Sequence, residues 1–163
     1  MLVLTALESP GVLTASALDV GQGQCVLLLS PKQTVVVDCG GDRYEGAGNL
    51  AAEYLLSKGR RTVDTLVLTH FHADHANGVR QLMQRMQVRR LVVPLLEDFG
   101  ELGDTILELA VQKDVEITYI DSYTSWETPQ MTISCYPPLG VGDENEQGLS
   151  LLCTCLLYTS RCV

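Results

Sequence analysis

The chain has 163 residues, enough for one domain with a buried core, and its 46% hydrophobic and 19% charged residues exclude the disordered class. A formal net charge of −9 argues against the whole chain being a nucleic-acid-binding surface. The longest apolar runs fall short of the ~20 residues that cross a membrane, and no Lys or Arg precedes Lys32 to begin a secretory signal.

Along the chain, residues 14–20, 25–30 and 33–38 are short β-rich runs, the last two forming a hairpin around a Pro-containing loop. The glycine-rich stretch CGGDRYEGAG breaks the pattern. A helix follows with Leu50, Ala51, Tyr54 and Leu55 on one face, ended by Gly59. TLVLTH reads as a strand buried on both faces, capped by an irregular loop. Val79, Leu82, Met83 and Met86 then mark an amphipathic helix, and RRLVVPL another strand. Asp104 is the expected N-cap of a third helix, with Ile106, Leu107, Ala110 and Val111 facing inward. EITYI, MTISCY and LSLLCTCLL are strand-like, and SYTSWET is a turn or short strand. Strand–helix alternation flanked by strands predicts an α/β fold, a sheet covered by helices.

All three histidines lie in LTHFHADHANG: His70, His72 and His75, with Asp74 between. Neutral imidazole is the preferred nitrogen ligand for Zn²⁺. The H-x-H spacing at a strand end aims two rings into one cavity, and Asp74 and His75 can face a second metal. Two divalent ions about 3.5–4 Å apart share a hydroxide that attacks at neutral pH. Sheet-end loops are also where α/β folds place their sites. Residues 58–90 carry seven bases (Lys58, Arg60, Arg61, Arg80, Arg85, Arg89, Arg90) against Asp64 and Asp74, whereas 91–148 carry twelve acids and only Lys113. That basic segment reads as a solvated helix face or as a rim for an anionic substrate, with Arg80 and Arg85 as candidates. The six cysteines form no CxxC pair, and Cys25 and Cys135 fit core positions. GQGQCV lacks the third glycine of a dinucleotide loop and leads into a strand, so no nucleotide cofactor is expected. Asp38, ending VVVD beside a glycine turn, either accepts local backbone bonds or orients residues of the metal loop.

THFHADH resembles the HxHxDH motif of the metallo-β-lactamase fold, an αββα sandwich of metal-dependent hydrolases. The resemblance implies a mixed sheet with covering helices. It assigns His70 and His72 to one metal and Asp74 and His75 to a second, with Asp74 also a catalytic group, Asp38 an orienting residue behind them, and zinc or manganese as the ions. His72 separates the chain from the diiron branch, which carries Glu there. His75 leans toward phosphodiesterase-like members. ALDVGQGQCVLLLSPKQTVVVDCGG further resembles the LDVGQGDA…IDGG segment of the ComEC-type competence proteins, with Gln24 where many members have Asp and Asn77 where Gly is commoner. This implies a bacterial parent in the cell membrane, with the domain outside the cytoplasm and single-stranded DNA as a possible substrate.

In that family further ligands, a bridging Asp and a late His, follow downstream. No histidine follows His75 and no acid follows Glu146. The expectation is therefore the N-terminal half of the sandwich over 14–154, with 1–13 a linker or the end of an upstream membrane region and 155–163 a non-native tail. Such a half would leave one apolar sheet face uncovered.

Overall fold

The computed structural model describes residues 12–43, 46–128, 130–138 and 148–155; most of the expected linker and tail lies outside them. Strands β1 (Thr14–Ala17), β2 (Val26–Leu29) and β3 (Thr34–Val37) form an antiparallel meander. Helix α1 (Ala47–Ser57) crosses to β5 (Thr65–Val67), which pairs parallel with β3. The short helices α2 (Ala73–Ala76) and α3 (Val79–Arg85) lead to β7 (Arg90–Pro94), and α4 (Gly100–Gln112) leads to β8 (Glu116–Ile120), both parallel additions. The result is a mixed six-stranded sheet in the order β1-β2-β3-β5-β7-β8. The two-residue strands β4 (Thr62–Val63) and β6 (Gln87–Val88) pair beside it. Strands β9 (Thr124–Glu127), β10 (Met131–Tyr136) and β11 (Ser150–Cys155) form a second, antiparallel sheet in the order β11-β10-β9.

The pleat divides the core, because successive side chains point to opposite faces. Leu27, Leu29, Val36, Leu66, Leu91 and Val93 face α1, α3 and α4. Leu28, Val35, Val37, Val67 and Val92 face the second sheet, where Met131, Ile133 and Cys135 meet them. The face expected to be bare is thus largely covered by a sheet of this chain. Cys25, Cys39 and Cys135 are buried thiols, with no disulfide among the described residues.

Helix α1 ends as its sequence demands, at Gly59 with φ +73°. Helix α4 corrects the expected cap. It starts at Gly100, so Asp104 lies inside it, and Asp98 Oδ1 accepts the Gly100 N–H instead (2.9 Å). Ile106 and Ala110 are buried, but Val111 is 70% exposed because the buried stripe runs through Gly103, Ile106 and Ala110 and leaves Val111 beyond its edge. The histidine loop is also less irregular than expected, since residues 73–76 make a helical turn.

Candidate metal centre

The site sits at the C-terminal end of β5, where the parallel strands deliver their loops to one edge of the sheet. Leu68, fully buried, continues β5 with its N–H bonded to Val92. Thr69 and His70 then turn out of the sheet, and His72 precedes α2, its carbonyl accepting from His75 and Ala76 (both 2.9 Å). Two backbone segments hold this turn from behind. Cys39 N–H donates to His75 O (2.7 Å), Gly78 N–H to Cys39 O (2.8 Å) and Gln24 N–H to Asp74 O (2.9 Å). Asn77 clips the turn to Gly41 through both ends of its amide, at 3.1 and 2.9 Å.

This close approach explains the glycines of GQGQ and DCGG. A Cβ at Gly40 would stand 2.4 Å from His75 N, and one at Gly23 would stand 2.4 Å from Gly40 O and 2.7 Å from Asp74 O. Both positions demand glycine because backbone packs on backbone there. The motif that superficially suggested a phosphate loop is a seat for the metal loop.

Asp38 is fully buried at φ +56°, and its carboxylate is the hub of the site. Its Oδ1 accepts from Thr69 N–H (2.7 Å). Its Oδ2 accepts from Thr69 Oγ1 (2.8 Å), His75 Nδ1 (2.8 Å) and Gln24 Nε2 (3.0 Å). These partners are 14 to 37 positions away in sequence, so Asp38 is more than a local turn former.

The network assigns the tautomers. Thr69 has one hydroxyl proton and gives it to Asp38, so at 3.0 Å it accepts from His70 Nδ1–H. His75 Nδ1–H is likewise given to Asp38. Both rings therefore keep their Nε2 lone pairs for another partner. His70 Nε2 is buried and has no hydrogen-bond partner among the described residues. An acceptor nitrogen stranded in this way costs about 1–3 kcal/mol unless something fills its lone pair.

His70, Asp74 and His75 each offer a ligand atom, all within 4.8 Å of one another. The rings of His70 and His75 lie 4.0 Å apart between centroids, and His72 stands edge-on to His70 at 5.0 Å, outside that tightest group. Two oriented imidazole nitrogens and a carboxylate around one point fit a divalent ion such as zinc. Burial, then the neighbouring His75, pushes His70 below its ordinary value of 6.5, favouring the neutral ring a metal requires. The hydrogen bond to Asp38 raises His75.

Arg85 is not gathered into the site. Its guanidinium donates to Asn49 Oδ1 (3.2 Å) and Glu53 (3.3 Å) on α1. Arg80 is exposed on α3. Other bases of the basic segment also have structural partners: Arg89 pairs with Asp64 (2.8 Å), and Arg90 bonds Thr65 and stacks on Trp126. Cys39, whose thiol is held well above its usual value by the hydrogen bond it donates to Cys25 and by burial, is no nucleophile. Sequence reasoning passes over Thr69 and notes Gln24 only as a departure from the resembling family, with no role at the site. The only signals are a hydroxyl directly before His70 and the unusual amide in GQGQ.

Residues 18–150 match the model of the metallo-beta-lactamase superfamily. The chain belongs to that superfamily. Superfamily membership agrees with the α/β architecture and implies divalent-metal binding, usually of zinc. Solved structures of similar fold include a metallo-beta-lactamase from Cronobacter sakazakii, a HARLDQ motif mutant (TM-score 0.56, 19% identity, 83% of this chain and 55% of that one). Another is MEM-A1, a subclass B3 metallo-beta-lactamase from a soil metagenome library (TM-score 0.55, 16% identity, 86% and 54%). Among curated proteins, ComE operon protein 3 of Bacillus subtilis (strain 168) is 27% identical over 115 residues, 61% of this chain and 15% of that protein. This superfamily chain thus spans about half the length of these solved structures and a small part of the curated relative.

Proposed function

We propose that this superfamily chain forms part of the metal-dependent hydrolase domain of a bacterial DNA-internalisation protein of ComEC type, acting on a phosphodiester, with single-stranded DNA as the substrate. The observation that carries the reading is the likeness to ComE operon protein 3, which accompanies an oriented His70–Asp74–His75 donor set. His70, His72, Asp74 and His75 would hold two divalent ions, zinc or manganese. Bound metal would supply Lewis acidity at the attacked ester and lower the pKa of water there to near neutrality. The residues do the rest. Thr69 and Asp38 bond the Nδ1 atoms of His70 and His75 and leave both Nε2 atoms free for a metal, and the half-exposed Asp74 carboxylate would serve as a ligand and catalytic group facing solvent. In this reading the parent is a cell-membrane protein with the domain outside the cytoplasm. Among the described residues no helix is long and apolar enough to cross a membrane.

Two assays test the reading. The purified chain should hold zinc weakly and leave a chromogenic phosphodiester intact, because the ligands of this loop make half of a dinuclear site. Two tightly held metals per chain, or turnover lost in His72→Ala, would sink the half-site idea. The complete reading frame should encode upstream membrane spans, and its whole domain should cleave single-stranded DNA in a metal-dependent way. Cleavage of a small ester, lactone or β-lactam alone would favour a freestanding hydrolase instead. Loss of the downstream Asp and His would favour a non-catalytic module.

A further inference from the structure

We infer that Gln24 is a positioning residue of the metal centre, acting on His75 through Asp38. This rests on the metal-site reading above but extends it to a residue outside the metal-binding motif, at a position where the resembling competence family often carries a carboxylate.

Gln24 is doubly tied to the site. Its backbone bridges the two segments that matter, donating to Asp74 O (2.9 Å) and accepting from Gly40 N–H (3.1 Å). Its side-chain amide donates to Asp38 Oδ2 at 3.0 Å, the same oxygen that takes the His75 Nδ1 proton at 2.8 Å. Asp38 is fully buried and no Lys or Arg side chain bonds to it among the described residues, so His75 and the hydrogen bonds from Thr69 and Gln24 fix its rotamer. Thr69 covers one side of the carboxylate with two of them. Gln24 adds a further donor to Oδ2, and Gln24 and Thr69 together line the cleft between the sheets beside Val26, Val37, Ile133 and Leu149. Without that amide, Oδ2 keeps only Thr69 Oγ1 and His75 as donors, and the acceptor that sets the His75 tautomer and ring angle is less firmly held. Glutamate, and the aspartate of the relatives, can donate nothing to Asp38 in ionised form, so an amide here is functionally distinct.

The test uses the whole chain with Gln24→Leu, which keeps the volume against apolar walls, and Gln24→Glu, which keeps the shape but removes the donor. Two readings are taken: the downfield imidazole N–H proton of His75 in metal-free protein, assigned by its loss in His75→Gln, and zinc affinity by competition with a chromophoric chelator. The wild type should show a slowly exchanging His75 proton. In both variants exchange should quicken, and zinc affinity should fall about tenfold, the lower edge of what partners of metal ligands contribute. A lowered melting temperature with an unchanged imidazole proton and zinc affinity within about twofold of wild type would show a merely structural role and overturn the inference. Should the leucine variant not fold, the glutamate variant decides on the same two readings. Should the wild type take up no zinc, the metal reading fails by itself, and the imidazole proton alone still supports or overturns the role of Gln24.

Discussion

The two faces of the six-stranded sheet are packed very differently. On the helical side, Leu27, Leu66 and Leu91 are fully buried against α1, α3 and α4. On the other side, β10 buries Val35, Val67 and Val92 as fully, but toward β11 a cleft of about 440 Å³ stays open beside Val26, Leu28 and Leu151. The metal loop joins the two. Its anchors Leu68, Ala76 and Val79 are sunk in the closed core, while Thr69 lines the open cleft and gives its carbonyl to Leu149 N–H (2.8 Å). Rigidity thus comes from one face and access from the other, the arrangement a preorganised site needs.

Truncations on the two faces should separate most widely. Leu66→Ala, in the closed core, should destabilise by about 3–4 kcal/mol, whereas Leu151→Ala, beside the cleft, should cost about 1 kcal/mol, as urea midpoints at equal slope would show. Equal losses would mean that the open face is as well packed as the helical one.

The loop itself comes next. His70→Ala should weaken zinc binding by more than the roughly 100-fold upper range for partners of ligands, and Asp38→Ala by about 10- to 100-fold, both by chelator competition. An Asp38→Ala protein that binds zinc normally would remove the hub from the site.

Protonation sharpens the contrast within the loop. Because Asp38 raises His75, this residue contributes stability that is complete below its unfolded value near 6.5 and is lost as pH rises through its folded value. His70 is lowered, mainly by burial, so its contribution is present above about 6.5 and is lost as pH falls toward its folded value. In metal-free protein, ring-proton titration by NMR should find His75 protonating at higher pH than His70. The reverse order would contradict the tautomers assigned from Thr69 and Asp38.

The smallest effect belongs to Arg85. Its replacement by Ala should change stability by no more than about 0.5 kcal/mol, as for a partly exposed ion pair, and should leave zinc affinity unaltered. A marked loss of zinc would place this guanidinium at the site instead of on α1.

Much of the fold and of the metal loop is legible in the residues alone. The β-rich runs VLLL and TVVV, the 3.6-residue stripe before Gly59 and the clustered histidines mark the strands, α1 and the metal loop, because these signals are local and each residue's burial follows from its neighbours. The start of α4 is not legible in the same way, since Asp104 has a capping side chain but the helix begins earlier, at Gly100, with no capping side chain at Phe99 to mark it. The use of the basic residues is equally ambiguous: a run of arginines does not reveal that Arg85 meets Glu53 or that Arg90 covers Trp126.

The sequence by itself determined the donor types, their spacing and the superfamily, because ligand chemistry is carried by residue identity. Only the tertiary structure decided which nitrogen His70 and His75 present. That choice rests on Asp38, Thr69 and Gln24, drawn from the ends of β2, β3 and β5 into one hydrogen-bonded hub, and contacts between residues 14 to 37 positions apart exist only once the sheet has formed.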